Sequence, residues 1–443
     1  MINALRVGNF KSLRDTGDMP IRPLTFLVGP NSSGKRSVIQ MLLMLKQTVE
    51  STGIDNPLVA NGPWVQSGAY PDFVYGKDYA SQLSVSMRAT YPEGRTLRDD
   101  RPVVPECAFS AQFSYNRKTT QIVLEKAESS LDRWRTLIER VGTTKKYVAT
   151  MPTPGTDDLQ QTLRAGVMIP KKFYSIAPRE LVKGSKVPRL SVHVFSISIA
   201  VESIFKKMHY IGPLRDYPKR FYVTSGQSPQ DVGSKGERAV DVLWFAHRSS
   251  LRSVRKTERQ VEQWLARLGM ARAMRLDRVS GANYYQLTVK DPASDIESNL
   301  VDIGFGASQT LPIVVECLYS GPGSTILMEQ PEIHLHPRAQ SVLGDMFIEA
   351  SSAGQRTLIV ETHSEHILDR VRRRIAEGTL SSDDVSILYF EPSASGTRVS
   401  QVQVNDLGQY VSFPDGFFDE DYQEAIAHLQ AIASEGQSAA DAN

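Results

Sequence analysis

Residues 29–37, "GPNSSGKRS", carry the first legible chemistry of this sequence. The spacing G-x-x-x-x-G-K reads as a phosphate-binding loop. Gly29, Pro30, Asn31, Ser32, Ser33 and Gly34 would wrap an anion with backbone N–H groups at a helix start, and Lys35 would add an ammonium. The next position normally supplies the hydroxyl that holds Mg2+, and here it is Arg36. Ser37 lies about 100° further round the helix, so metal binding is expected to weaken. Arg36 is expected either to offset phosphate charge or to lie in solvent.

Three later stretches complete a constellation. "STILMEQPEIHLHP" is an apolar strand ending in Glu329, a carboxylate placed to hold Mg2+ through water. Gln330, a neutral amide, follows Glu329. A neutral amide cannot take a proton, and loss of a general base costs about 10²–10⁴-fold in rate. Gln330 can still orient water, and Glu332 is a substitute base. "GFGASQ" sets Gly306, Ser308 and Gln309 at the start of an apolar helix, a second anion-ready terminus. "LIVETHSEH" places His363 just past a buried strand, able to face a terminal phosphate. A zinc site is not expected from His334, His336, His363 and His366, because "HSEH" lacks the helical H-E-x-x-H spacing.

The elements that must position these residues follow from periodicity. "NALRVGNFKSL" and "PLTFLVG" read as strands, the second feeding the glycine loop and the apolar helix "SVIQMLLMLKQTV". Between about residues 80 and 125 apolar residues alternate, which predicts an antiparallel meander with one wet face. Helices are expected over about 190–208 and 251–268, both as insertions or lids. From Tyr284 onward strands alternate with helices, which argues for a mainly parallel sheet with helices on both faces, an α/β fold. The resulting division is a head of residues 1–51 and 206–395, an antiparallel β lobe at 52–127, a helical or irregular insertion at 128–205, a short C-terminal module at 396–432 and a disordered tail at 433–443.

Composition narrows the setting. Lys plus Arg total 51 against 49 Asp plus Glu, so net charge does not call for nucleic acid. Local clusters, Arg248 to Arg259 and "RVRRR" at 370–374, read as a solvated helix face or as a phosphate-backbone contact. "YIGPLRDYPKRFY", with Arg215, reads as a packed connector or a nucleic-acid contact. Cys107 and Cys317 form no CxxC pair, which fits a reducing cytoplasm, and no apolar run approaches the roughly 20 residues of a membrane span.

Taken together, "NFKSL", "GPNSSGK", "YIGPLRDYP", "GFGASQTLPIVVE", "EQPEIHLHPRAQ", "ETHSEHIL" and "DGFFDEDYQEA" resemble the bacterial AAA-15/AAA-21 type ATPases, relatives of the OLD family and of SMC-type heads. The resemblance spans both ends of the chain and is weakest over 52–205. It implies an ABC-type P-loop head in which two copies sandwich ATP and Mg2+. Gly29 to Lys35 would then be the Walker A loop, Gly306 to Gln309 the signature, Glu329 the Walker B carboxylate and His363 the switch histidine. Gln66 would either link nucleotide and metal to the insert or be a surface glutamine. Many relatives read D-E-P-E at the Walker B end, where this chain has Glu329 followed by Gln330. The acids after His363 lack the spacing of the Toprim nuclease found in full-length OLD proteins, so nuclease activity is not expected in this chain. The implied partners are a second copy of the chain, a separate effector such as a nuclease or toxin, and DNA. Slow or partner-dependent ATP hydrolysis is the expectation, with a structural use of bound ATP or a DNA-end repair role as alternatives.

Overall fold

A computed structural model describes residues 1–412 except 54–55, 92–95, 99–100, 104, 133, 145–146, 152–160, 164–167, 179–187, 224–225, 227, 280–282 and 353–354. The motif "DGFFDEDYQEA" and the expected tail lie outside the described residues, as does most of "MPTPGTDD".

In chain order the elements used below are β1 (Ile2–Phe10), β2 (Leu24–Val28), α1 (Lys35–Glu50), β3 (Leu83–Thr90), β4 (Glu106–Asn116), β5 (Gln121–Leu131), β6 (Trp134–Arg140) and β7 (Tyr147–Met151). They continue with α2 (Pro188–Lys206), β8 (Met208–Ile211), α3 (Ala239–Arg248), α4 (Arg252–Arg267), β9 (Ala273–Arg278) and β10 (Tyr284–Lys290). The last part holds α5 (Phe305–Tyr319), β11 (Thr325–Glu329), α6 (Pro337–Ser352), β12 (Thr357–Glu361), α7 (Glu365–Ala376), β13 (Val385–Glu391) and β14 (Arg398–Val402).

The central sheet has six strands in the order β8-β11-β12-β2-β13-β14, parallel throughout except for β14. Its inner strands are fully buried apolar runs, as a parallel sheet covered on both faces requires. Alternate residues go to opposite faces. Leu27, Leu327, Ile359 and Leu388 pack into one core with α1 and α2, while Phe26, Met328, Val360 and Ile387 pack into a second core with α3 to α7. The fold is thus α/β with a mainly parallel sheet between helical layers.

A second, antiparallel sheet runs β7-β6-β5-β4-β3-β1 through its middle. Its inward residues, Val7, Val85, Phe109 and Phe113 among them, join the α1 core. The expected helical or irregular insertion at 128–205 does hold a helix, α2, but residues 134–140 and 147–151 are strands that extend this sheet before it begins. Their charges hid the pattern, because Arg135 pairs with Glu128, Arg140 with Glu125 and Lys126 with Glu139 across strands, while Thr136 and Ile138 point inward. A second departure concerns α4. Val261, Trp264 and Leu265 are buried in the second core, so this helix is part of the head's packing and not a lid.

Candidate functional site

Strand β2 ends at Val28 and the chain turns through the glycine loop into α1. The turn needs glycine at two places. Gly29 has φ +135°, and an added Cβ would sit 2.3 Å from the Phe390 carbonyl oxygen; Gly34 has φ +103° and packs on Ser12 and Thr397. Thr397 fastens the loop by donating to the Ser33 carbonyl at 2.7 Å. The first amides of α1, at Lys35 and Arg36, have no carbonyl four residues back within the helix and can meet an anion, while the Ser37 N–H donates to the Gly34 carbonyl at 3.0 Å. Lys35 is buried, and its Nζ donates to the carbonyls of Gly29 and Pro30 at 2.8 and 2.7 Å. Burial lowers the Lys35 pKa, against the pull of Glu361 and Glu332. Asn31 and Ser32 are exposed and Ser33 is buried.

The neighbouring strand ends bring the rest. Parallel pairing aligns Glu329 at the end of β11 with Glu361 at the end of β12, and Glu361 with Leu27 of β2. The carboxylates of Glu329, Glu332 and Glu361 therefore gather beside the loop, all buried. Burial raises the Glu361 pKa to about 7, with Glu329 adding to it and Lys35 opposing. Glu329 and Glu332 are also pushed up by burial.

Arg36 neither lies idle in solvent nor waits only for phosphate. Its Nε is 3.0 Å from Glu329 Oε2, while the Tyr210 hydroxyl donates to Glu329 Oε1 at 2.7 Å. A further hydrogen bond joins Arg36 and Tyr210. The expected Mg2+ does not fit this arrangement. Its hydroxyl ligand is absent, Ser37 is buried, and both oxygens of Glu329 are engaged.

Arg215 itself is packed and not presented to a nucleic acid. It is buried beneath the strand end and donates through Nη2 to the carbonyls of Glu329 and Gln330, at 3.0 and 3.1 Å. Desolvation lowers its pKa to about 10. Gln330 itself is held in a left-handed conformation, φ +45°, by its N–H donating to the Glu361 carbonyl at 2.8 Å. Glu332 accepts from the His363 N–H at 2.7 Å through Oε1, and its Oε2 has no partner. Glu332 thus ties the His363 loop to the strand end. His363 is exposed at the mouth of the site, and its pKa is lowered first by desolvation and then by the Lys35 charge.

Gly306, Ser308 and Gln309 do open a helix, α5. Ser308 and Gln309 are buried, however, and the Ser308 hydroxyl donates to the Phe305 carbonyl at 2.9 Å. Phe305 is partly exposed beside them and packs edge-on against His334. Gln66 is not brought to the loop. Its segment is fastened to Gln47, which accepts from the Trp64 and Val65 amides. Gln47 is 12 positions along α1 from Lys35, about 18 Å at the helical rise. The Gln66 amide donates to the Gly62 carbonyl and faces solvent.

The arginines of 370–374 are paired locally, while Lys256 and Arg259 of the other cluster are exposed. Arg370 and Arg374 pair with Asp345, Arg373 and Arg374 with Glu377, and Arg372 with Asp369. Arg248 lies over the Trp244 ring, and Arg255 donates to the Ser249 carbonyl. Among the described residues no group of three or more metal-ligating side chains is assembled, and no helix is long and apolar enough to cross a membrane.

Tyr210, Arg215 and Glu361 were not singled out as members of this site from sequence. One signal was present: "TILME" and "TLIVE" are equal apolar runs that both end in glutamate, and parallel pairing of such runs sets the two carboxylates side by side.

The "AAA ATPase domain" family model matches residues 252–368, which hold the α5 start, Glu329 and His363. A "Protein of unknown function (DUF3696)" model matches residues 380–425. The OLD nuclease of Thermus scotoductus is 21% identical over 380 residues, 83% of this chain; the chain spans 60% of that protein's length. Among solved structures, an SMC head bound to the C-winged helix domain of ScpA is 13% identical with TM-score 0.46, covering 91% of this chain and 98% of that one. A Pyrococcus furiosus Smc head with an extended coiled coil is 11% identical with TM-score 0.45, covering 98% and 99%. Residues 252–368 are thus similar to the AAA ATPase domain family, and the chain as a whole is distantly similar to an OLD nuclease.

Proposed function

We propose that the chain binds ATP on the Gly29–Lys35 loop, self-associates around it, and serves as the cytoplasmic sensor or scaffold of a bacterial anti-phage defence or genome-maintenance complex, with slow or partner-dependent hydrolysis. The observation that carries the nucleotide reading is the buried Lys35 ammonium capping a glycine loop at the start of α1, with His363 and the strand-end carboxylates beside it. Slow turnover follows from Gln330 at the base position and from Arg36 on Glu329. Self-association rests on the sandwich implied by the resemblance, in which the α5 start of one copy closes the loop of another.

A second reading has an observation of its own. The Arg36–Glu329–Tyr210 cluster is a satisfied network that needs no turnover, which suits ATP held as a structural cofactor of an interaction protein. A direct DNA-end role draws less support, since the arginines of 370–374 are spent on carboxylates; the OLD nuclease relative supports a setting near nucleic acid, with a separate effector or DNA as partner.

Mass measurement with and without ATP tests the assembly. ATP is expected to shift wild type to a dimer or larger species, and Lys35→Ala to stay at the ATP-free distribution. An unchanged mass in saturating ATP would remove the sandwich.

A further inference from the structure

We propose that Arg36 is a built-in replacement for the divalent cation, so that this site takes a metal-free nucleoside triphosphate. This rests on the nucleotide reading and goes beyond it to the chemical form of the ligand. A metal ion in a phosphate-loop site bridges a strand-end carboxylate and the outer phosphates. Arg36 occupies that bridge. It projects from the second residue of α1, next to Lys35, and its Nε is fixed on Glu329 Oε2 at 3.0 Å.

The fork geometry leaves donors to spare. With Nε on the carboxylate and a further bond to Tyr210, the terminal nitrogens of the guanidinium still carry N–H groups to spare, and the side chain is 58% exposed. Those donors match phosphate oxygens, and guanidinium–phosphate contacts are among the stronger charge-assisted pairs. Arg36 is thus bonded to the carboxylate on one side and open to an anion on the other.

Its hold on Glu329 is reinforced from both ends. Tyr210 donates to the second oxygen of Glu329, and Arg215 fixes the Glu329 carbonyl. A divalent ion entering here would have to displace the guanidinium and take ligands already engaged. In charge terms the Arg36 guanidinium offsets the Glu329 carboxylate with no metal present.

Calorimetric titration of ATP into the full chain, once in EDTA and once in MgCl2, tests this. Wild type is expected to bind in EDTA within about 3-fold of its affinity in Mg2+. Arg36→Ser, which restores the hydroxyl, is expected to lose about 10-fold or more in EDTA and to recover with Mg2+. Arg36→Lys, which keeps a charge, should keep most of the EDTA binding. Wild-type binding that requires Mg2+ would overturn the proposal and leave the nucleotide reading standing. Equal EDTA binding by Arg36→Ser would overturn it too, by showing that Arg36 is not the cation. No ATP binding in either buffer would end both.

Discussion

Arg36 Nε lies 3.0 Å from Glu329 Oε2, joining the first turn of the loop helix to the end of the neighbouring strand. A residue at the metal-ligand position of the loop thus reaches the carboxylate that a metal would share with it. The pair ties the loop helix to the strand end and engages one oxygen of the Glu329 carboxylate.

Restoring both altered positions should restore turnover. The double variant Arg36→Ser, Gln330→Glu regains a hydroxyl and a general base, and its steady-state phosphate release in Mg2+ is expected to exceed wild type by about 10²-fold. Equal rates would mean that neither position limits hydrolysis.

Arg215 should prove structural. Arg215→Met leaves the carbonyls of Glu329 and Gln330 without their buried donor and removes a cation facing Glu332. Denaturant unfolding is expected to show a loss of about 2–4 kcal/mol. A midpoint equal to wild type would show that water takes over both carbonyls.

Glu361 should impose a pH slope on stability. Its folded pKa is raised to about 7 from 4.5. Between those values the unfolded chain has released the proton and the folded one retains it, so stability falls as pH rises through this window and levels off above it. Glu361→Gln is expected to unfold at higher denaturant than wild type at pH 8, by about 1–3 kcal/mol, with the difference shrinking towards pH 4.5. A difference independent of pH would place the effect elsewhere.

Much of this was readable because it is local. The glycine loop, the α1 run and the apolar strand ending in Glu329 are contiguous patterns of fixed period. What escaped came from long-range pairing. Tyr210 and Glu329 are 119 residues apart in sequence, and they meet because β8 and β11 are parallel neighbours in the sheet. Glu361 reaches the site by strand register, and Arg215 by a connector with no periodic pattern. Arg36 was visible as an anomaly, yet its partner depends on a side chain crossing between two elements. The strands at 134–140 and 147–151 escaped for another reason: cross-strand ion pairs, Arg135 with Glu128 and Lys126 with Glu139 on the wet face and Arg140 with Glu125 half-buried, made a regular meander look like an irregular charged segment.

The central claim, that the loop ending in Lys35 holds a triphosphate, is tested most directly by titrating ATP into wild type and into Lys35→Ala, with thermal unfolding as a control for the fold. The account predicts saturable binding by wild type at one site per chain, and a loss of about 10-fold or more in the variant. Matching isotherms for the two proteins, or no binding by a folded wild type, would contradict it.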